Sequence, residues 1–403
     1  MGDQGSVARA EVAAPPSSGF GVLELLLGGL AALGPLSIDM YLPALPRIAD
    51  DFGVETAAVQ LSLASFFVGF ATAQLIAGPM IDRYGRRRPL VVALVVYACA
   101  SLGCAAAPNN EVLIACRLLQ GLAGSMAVVV PRAVIRDLHS GPGAVHMLSR
   151  LMLVMGVAPI AAPVLGSWVL GALGWRAIFV GLAGFAVLTM AACVRLLPET
   201  GRPRDKAVTL GAQLRALVGD PDFRIYTLCG GFSSAGMFAY ISGSAFVFIE
   251  VHHVDPEVYG YIFGANAFGL IAVSQLNRVL VGRFTAVQVL GAATAMAALS
   301  GVLVLAVAVT GVGGVWGIAA ALFVFLSSLG ILGPNSMALA LERHGERAGL
   351  ASAVLGASQF TVAAGAVGAV SVLDDGRTAV PMAAVVAAAA CLSWLCFALR
   401  RRG

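Results

Sequence analysis

The sequence predicts an all-α integral membrane protein of twelve transmembrane helices in two six-helix halves, with both termini in the cytoplasm. Three observations predict this class: the apolar composition, the number of long apolar runs and the alternation of charge between loops. Hydrophobic residues make up 59% of the 403 residues, charged residues make up 11%, and the mean hydropathy is +0.90. Because soluble domains carry about 25% charged residues, this composition excludes a soluble globular protein.

Twelve apolar runs follow one another along the chain, and a bilayer-spanning helix needs about 20 such residues. The first 19 residues are polar and show no signal-peptide pattern, so we expect a cytoplasmic tail at 1–19 and a first span that is retained. The runs cover residues 20–43, 57–81, 89–107, 112–135, 145–172, 175–197, 223–249, 257–280, 285–309, 313–341, 347–372 and 378–399.

The longest polar break divides these runs into six and six. It extends from residue 198 to residue 224 and is rich in charged residues and proline. We therefore expect an N-terminal half at residues 20–197, a cytoplasmic linker at 198–222, and a C-terminal half with a short basic tail at 223–403. Two halves joined in this way are typical of transporters in which one half rocks against the other.

Loop charges alternate in sign and indicate the orientation. The loops at residues 47–55 and 250–257 are net acidic, whereas those at 82–88 and 278–283 and the tail at 400–402 are net basic. Since cytoplasmic loops collect Lys and Arg, we expect the basic side to be cytoplasmic. This one-sided distribution explains the formal charge of +4 better than a nucleic-acid partner does, and we expect no such partner.

Charged residues inside the apolar runs are candidate functional residues, because burial costs several kcal/mol unless the charge is paired or hydrated. Asp39 lies about one turn below the outer end of the first span, and Arg117 lies about a turn and a half below the outer end of the fourth. Their depths match, which makes them a candidate pair for proton coupling. The alternatives are a fixed structural ion pair or side chains that extend to the outer interface.

Glu24 lies in the same span as Asp39 but far from it. Fifteen residues separate the two, which is about 22 Å along one helix. The two carboxylates therefore do not serve one compact site. Glu24 is a candidate for a separate cavity position, and extension of its side chain to the membrane interface is the alternative.

The turn at residues 78–90 places one acid and four arginines between two apolar runs. Gly78 and Asp82 stand one helical turn apart and share a face, where a small residue permits close helix contact. Gly85 permits the sharp reversal of the chain. Arginines alone would indicate only topology, but the ordered spacing of Gly, Asp-Arg and Gly-Arg-Arg indicates a more specific role for this turn.

Five stretches carry a resemblance to a known family. The loop stretch resembles the signature of the major facilitator superfamily, and the others are similar to the bicyclomycin and chloramphenicol resistance (Bcr/CflA) subfamily of drug:proton antiporters. The resemblance covers nearly the whole chain and implies the major facilitator fold. The stretches are 37–46 (SIDMYLPALP), 82–87 (DRYGRR), 117–121 (RLLQG), 333–340 (GPNSMALA) and 348–353 (AGLASA).

This resemblance implies roles for individual residues. Asp39 would be the proton-responsive carboxylate, and Arg117 would be its partner at the central cavity. A cytoplasmic charge network that stabilises the outward-open state would comprise Gly78, Asp82, Arg83, Gly85, Arg86 and Asp137. The antiporter motif of the fifth span is partly present as Gly156, Pro159, Pro163 and Gly166. Alanine and serine replace other glycines of that motif, so a hinge role is implied, but the support of this motif for antiport is weakened.

Further candidates are polar or aromatic residues within the spans. For the three amides in the C-terminal half, hydrogen bonds between helices are the alternative to substrate contact. The candidate cavity residues are Glu24, Tyr41, Gln120, Tyr240, Asn266, Asn335 and Gln359.

Enzyme classes are not indicated. The sequence brings no Ser/His pair, paired acids or metal-ligand set to one depth, so we expect no metal site. The single lysine, Lys206, follows Asp205, whereas an ATP-binding loop requires Lys after Gly. We therefore expect no cofactor and a proton gradient as the energy source.

The function expected from these features is proton-coupled efflux of small amphipathic drugs or antibiotics by alternating access. The expected partners are the drug-like substrate, protons and membrane lipid, and we expect a monomer in the bacterial cytoplasmic membrane. A symporter on the same fold, which imports a small nutrient with protons, is the alternative.

Overall fold

The computed structural model describes residues 21–138, 141–200, 210–344 and 348–400. The predicted tail at residues 1–19, residues 201–209 of the predicted linker and residues 401–403 lie outside the described residues. The described ranges contain fourteen α-helices and no strand. The helices are α1 (Val22–Asp39), α2 (Leu45–Phe52), α3 (Thr56–Tyr84), α4 (Arg87–Ala105), α5 (Asn110–Leu138), α6 (Gly141–Leu173), α7 (Trp175–Leu196), α8 (Leu210–Gly219), α9 (Pro221–Ala245), α10 (Pro256–Leu280), α11 (Ala286–Thr310), α12 (Gly314–Leu341), α13 (Ala348–Leu373) and α14 (Val380–Ala398).

Eleven helical segments of the described chain are long and apolar enough to cross a membrane. They coincide with eleven of the predicted runs. The remaining run, residues 257–280, forms α10, a helix of 25 residues, but Gln275, Asn277 and Arg278 lower the hydropathy toward its end. The predicted all-helical, multi-pass architecture is therefore confirmed. The number of twelve spans and the cytoplasmic position of the termini stay predictions.

The helices pair in the same way before and after the polar break. In the N-terminal half, α3 packs on α5, α1 on α6 and α4 on α7. The corresponding pairs in the C-terminal half are α10 with α12, α9 with α13 and α11 with α14. A repeated pairing of this kind is what two related six-helix halves produce. The half boundaries at residues 198 and 222 stay predictions.

Two seams join the halves, one between α3 and α13 and one between α6 and α10. Small residues permit the close approach of the helices. A Cβ added to Gly356 of α13 would lie 1.9 Å from Oε1 of Gln74 in α3, and one added to Gly260 of α10 would lie 3.0 Å from Oγ of Ser167 in α6. The candidate site lies between these seams.

Candidate functional site

The first span breaks at Asp39. Helix α1 ends there, and a 3-10 turn at Leu42–Ala44 leads into α2. Pro43 and Pro46 lack the N–H that a continuous α-helix requires, so the sequence encodes the break locally. Asp39 is 4% exposed, and its Oδ1 has no hydrogen-bond partner among the described residues. Because an unpaired buried carboxylate is costly, this position is suited to take up a proton or a polar ligand group.

Arg117 of α5 is fully buried beside the same break. Its guanidinium carbon lies 4.4 Å from the ring centroid of Tyr41, 4.5 Å from that of Phe66 and 5.9 Å from that of Phe179. These three rings form a cation–π environment for the charge. In the described part of the chain, Nε and Nη2 of Arg117 have no hydrogen-bond partner. Two donor atoms of the guanidinium are therefore left for a ligand.

A chain of hydrogen bonds fixes the position of Arg117. Its Nη1 donates to the backbone oxygen of Ser37 at 3.0 Å and to Gln120 Oε1 at 2.5 Å. Gln120 Nε2 donates in turn to Ser101 Oγ at 2.7 Å. The Ser37 and Tyr97 hydroxyls are also hydrogen-bonded to each other. Gln120, a candidate cavity residue, thus positions Arg117, whereas no sequence motif marks Ser101 or Tyr97.

The expected ion pair between Asp39 and Arg117 is not formed in this structure. None of the ion pairs between described residues joins them. Their depths agree with the prediction, because Arg117 contacts the backbone of Ser37. Arg117 points into the ring cluster of the N-terminal half, and Oδ1 of Asp39 has no hydrogen-bond partner among the described residues. Their joint role in proton coupling stays a prediction.

Two buried tyrosines of the C-terminal half, Tyr240 and Tyr259, are held by hydrogen bonds. Asn266 Nδ2 of α10 donates to the Tyr240 hydroxyl of α9 at 3.0 Å, and the hydroxyls of Tyr259 and Ser244 lie 2.9 Å apart. All four side chains are buried. The structure therefore brings two candidate cavity residues, Tyr240 and Asn266, together across α9 and α10.

Four phenylalanines meet where α3, α9 and α13 converge. Phe67 and Phe238 have ring centroids 4.4 Å apart, and Phe70 and Phe360 have centroids 4.5 Å apart. The cluster joins the two halves with apolar surface. The polar motifs of the sequence do not reveal it, since its members lie far apart along the chain.

Hydrogen bonds tie the halves together at the end where α3 begins and α9 ends. Thr56 Oγ1 donates to Glu250 Oε1 at 2.5 Å, and Ser371 Oγ donates to the backbone oxygen of Ala57 at 2.7 Å. Thr56 and Glu250 are separated by 194 positions. Linear spacing cannot identify such a pair.

Arg86 joins the ends of α3 and α5 on the opposite side of the membrane. Its Nη1 donates to Asp82 Oδ1 at 2.8 Å and its Nε donates to Asp137 Oδ2 at 3.0 Å; we call these three residues the Arg86 network. Burial lowers the pKa of Arg86, but the hydrogen bonds and charges of Asp137 and Asp82 outweigh burial and raise the pKa above the usual arginine value. Glu199, which the sequence analysis missed, accepts from the backbone N–H of Arg86 at 2.6 Å.

The other predicted members of this charge network, Gly85, Arg83 and Gly78, make no side-chain hydrogen bond to Arg86 in this structure. Gly85 has a φ of +84°, a backbone conformation that favours glycine, and the Glu199 carboxylate lies against it. Arg83 is exposed and lies over the Tyr84 ring at 5.3 Å, outside the Arg86 network. A Cβ added to Gly78 would meet no described atom within 4 Å. The close helix contact expected at Gly78 is therefore not made in this structure.

Helix α6 carries the partial antiporter motif and contacts both halves. Pro159 and Pro163 lie inside the helix. Gly166 lies against the break of the first span, where an added Cβ would be 1.8 Å from the backbone oxygen of Met40. Gly156 faces α10, and a Cβ there would be 3.4 Å from a side chain of that helix. The motif thus forms the surface that α6 presents to α1 and α10.

Glu24 lies away from the central cluster. Its carboxylate pairs with Arg150 of α6 and accepts from the backbone N–H of Gly21 at 3.1 Å. The structure places Glu24 in the contact between α1 and α6, and the length of α1 separates its carboxylate from that of Asp39, as the sequence predicts.

The remaining candidates lie between helices. Asn335 Nδ2 of α12 donates to Asn277 Oδ1 of α10 at 2.6 Å. Asn335 thus forms a hydrogen bond between helices, which was the alternative to substrate contact. Gln359 of α13 lies close to Gly230 of α9. Neither contact brings these side chains to Asp39 or Arg117.

Comparison with known proteins identifies the family. Residues 27–369 match the model of the Major Facilitator Superfamily. The uncharacterized MFS-type transporter YdgK of Bacillus subtilis (strain 168) is 35% identical over 385 residues, which cover 93% of this chain and 94% of that protein. A bicyclomycin resistance protein homolog of Haemophilus influenzae is 31% identical over 383 residues, which cover 93% of this chain and 95% of that protein.

A solved structure with the same architecture is that of a D-xylose-proton symporter. It superposes with a TM-score of 0.75 over 93% of this chain and 97% of that one, at 15% identity, and this likeness shows the fold alone. The family match over most of the chain, the relatives and the membrane-spanning helices agree with one another. The chain is a multi-pass membrane protein that belongs to the major facilitator superfamily.

Proposed function

We propose that this chain is a proton-coupled antiporter that exports small amphipathic compounds, drugs and antibiotics among them, by alternating access. The observation that carries the proposal is the buried Asp39 carboxylate at the break of the first span, two residues after Ser37, whose backbone oxygen accepts from the buried Arg117. The relative named as a bicyclomycin resistance protein homolog supports the substrate class and the direction of transport.

Asp39 would alternate between a proton and substrate. Protonation from outside removes the charge that a polar substrate group contacts and so favours release of the substrate. Loss of the proton toward the cytoplasm restores the binding site, which is a shift between two populated states. The two unbonded guanidinium nitrogens of Arg117 provide donors for the substrate or for Asp39 in the alternate state.

The energy of one proton is sufficient for this task. A proton that moves down about 100 mV and about one pH unit releases roughly 3.7 kcal/mol. At one proton per neutral solute, this sustains a gradient of about 500-fold, because 1.36 kcal/mol is tenfold. The proposal therefore needs neither a nucleotide nor another cofactor.

We also propose that α10 completes a set of twelve spans, with both termini cytoplasmic, in a protein that works as a monomer. With 25 residues, α10 is about 37 Å long, which exceeds the roughly 30 Å hydrocarbon core. Its amides Asn266 and Asn277 form hydrogen bonds within the bundle. These hydrogen bonds support the crossing of the membrane by a helix of modest hydropathy.

Transport into inverted membrane vesicles tests the proposal. Vesicles that contain the protein and have an acid interior are expected to accumulate labelled bicyclomycin, or another drug found in a resistance screen across antibiotic classes. A protonophore should abolish this uptake, and vesicles without the protein serve as the control. If the screen shows that the protein confers resistance to a drug but an acid interior does not drive uptake of that drug, proton antiport is contradicted. Proton-driven exit of a nutrient from the same vesicles would favour the symporter.

Asp82→Asn is expected to slow transport about fivefold while drug binding stays within twofold of the wild type. The substitution removes the ionic contact with Arg86 at 2.8 Å, and a partly exposed ion pair contributes about 1 kcal/mol. Since Asp82 lies far from Asp39 along the membrane normal, the change affects the balance of conformations and leaves the binding site intact. Initial transport rates and equilibrium drug binding measure the two effects separately.

The control for this variant is Asp222→Asn, which removes an exposed ion pair with Arg343 in the C-terminal half. This control should change neither quantity. If Asp82→Asn weakens binding and leaves the turnover rate normal, the division of roles between the Arg86 network and Asp39 is wrong.

A further inference from the structure

An open groove runs along the outside of the N-terminal half. Helices α3 and α4 both pack on α5 but make little contact with each other, so a furrow of about 1240 Å³ remains between them, with α5 as its floor. The residues of α3 and α4 that line it include Ala73, Ile76, Met80, Val92 and Val96.

The walls of the groove are apolar and open to the surrounding membrane. Ile76 is 54% exposed and Val92 is 64% exposed, although both lie within membrane-spanning helices. From Arg83 to Ala73 along α3 the groove extends over about 15 Å. This length is half of the roughly 30 Å hydrocarbon core, which is the depth of one leaflet.

The mouth of the groove is basic. Arg83, Arg87 and Arg88 line it together with the carboxylate of Glu199. That carboxylate already accepts from the backbone N–H groups of Arg86 and Arg87. Arg83 and Arg88 are exposed, and neither belongs to an ion pair within the described ranges. Positive charge therefore remains at the level where lipid headgroups lie.

We propose that this groove binds an anionic phospholipid, with one acyl chain between α3 and α4 and the phosphate group at Arg83 and Arg88. A basic mouth over a one-leaflet apolar furrow matches the two parts of such a lipid. The lipid site is separate from the candidate transport site, which lies between the halves. It does not depend on the proposed function.

Lipid retention by the purified full chain tests the site. The protein in detergent is mixed with equal amounts of phosphatidylglycerol and phosphatidylcholine of the same acyl chains, and native mass spectrometry measures the bound lipid. The wild type is expected to retain phosphatidylglycerol preferentially. Arg83→Gln with Arg88→Gln should weaken this binding about thirtyfold, from about 1 kcal/mol for each arginine near the headgroups and tenfold for each 1.4 kcal/mol.

Two matched controls separate charge from shape. Arg195→Gln with Arg224→Gln removes the same charge from exposed arginines outside the groove and should leave retention unchanged. Val92→Trp fills the groove and should abolish retention, whereas Val95→Trp, at a 44% exposed position of the same helix outside the groove lining, should not. Thermal unfolding midpoints verify that all variants are folded.

Three results would overturn the proposal. One is equal retention of the two lipids by the wild type. Another is undiminished phosphatidylglycerol binding by Val92→Trp. The third is displacement of the bound lipid by glycerol phosphate at a concentration equal to that of the lipid. This result would indicate a site for the phosphate group alone, without a role for the acyl chain.

Discussion

Asp39→Asn is expected to abolish drug uptake driven by a pH gradient while leaving the protein folded. Asparagine has the shape of the aspartate side chain but does not take up a proton in the physiological range. Oδ1 of Asp39 has no hydrogen-bond partner among the described residues, so removal of the charge breaks no bond at that atom. The accumulation ratio should fall from a maximum of about 500-fold at one proton per neutral solute to unity.

The measurement compares two assays on the same inverted vesicles. In the first, an acid interior drives accumulation of the drug; in the second, the drug equilibrates down its own concentration gradient. Asp39→Asn should fail in the first assay and retain movement in the second. A variant that retains proton-driven accumulation would remove Asp39 from the coupling mechanism.

The matched control is Asp50→Asn. Asp50 lies in α2 of the same broken span, but it is exposed, so loss of its charge should leave coupling intact. Asp39→Glu provides a second comparison, since it keeps a carboxyl group and moves it by one methylene. We expect partial recovery of proton-driven uptake in that variant, because the group that takes up the proton is present but displaced.

Sequence periodicity predicted those parts of the site that depend on one helix or one turn. The charge network at Asp82 and Arg86 was implied by the family resemblance, and the two side chains form an ion pair across the reversal at Gly85. Gly85 was expected at the reversal and has a positive φ. Long apolar runs predicted the helices for the same reason, because the requirement to cross a membrane acts on each segment separately.

The parts that depend on rotation about helix axes or on contacts between halves could not be predicted. Depth along α1 and α5 matched Asp39 with Arg117, but depth does not determine the direction in which each side chain points. The hydrogen bond from Thr56 to Glu250 and the tilted ring contact of Phe67 with Phe238 join residues of different halves. Such contacts follow from tertiary packing, for which spacing along the chain carries no information.

Gly166→Ala is expected to produce the largest loss of stability among single-methyl substitutions in α6. A Cβ at this position would lie 1.8 Å from the backbone oxygen of Met40 and 2.7 Å from its carbonyl carbon. Because the obstacle is backbone and not a flexible side chain, α6 or the break of the first span has to move. Overpacking of this kind costs about 1–3 kcal/mol, occasionally more, and we expect the upper end of that range.

Thermal unfolding monitored with a thiol-reactive dye measures this effect. Cys104, Cys193 and Cys229 are buried free cysteines, so they react when the helices separate. The midpoint for Gly166→Ala should lie clearly below that of the wild type. Gly171→Ala is the matched control in the same helix, because a Cβ there meets no described atom within 4 Å. Replacement of glycine by alanine within a helix should be neutral or stabilising at that position, by about 0.5–1 kcal/mol.

The position of Gly166 connects this stability effect to transport. Met40 directly follows Asp39, so a shift of the Met40 carbonyl also displaces the Asp39 carboxylate from its position at the break of the first span. Gly166→Ala should therefore reduce proton-driven uptake even at temperatures where the variant remains folded, whereas Gly171→Ala should not. Equal unfolding midpoints for the two variants would show that α6 yields at this contact. If the midpoints are equal and only Gly166→Ala loses uptake, the packing of the folded state is unaffected. The loss of uptake would then indicate that α6 acts as a hinge at Gly166.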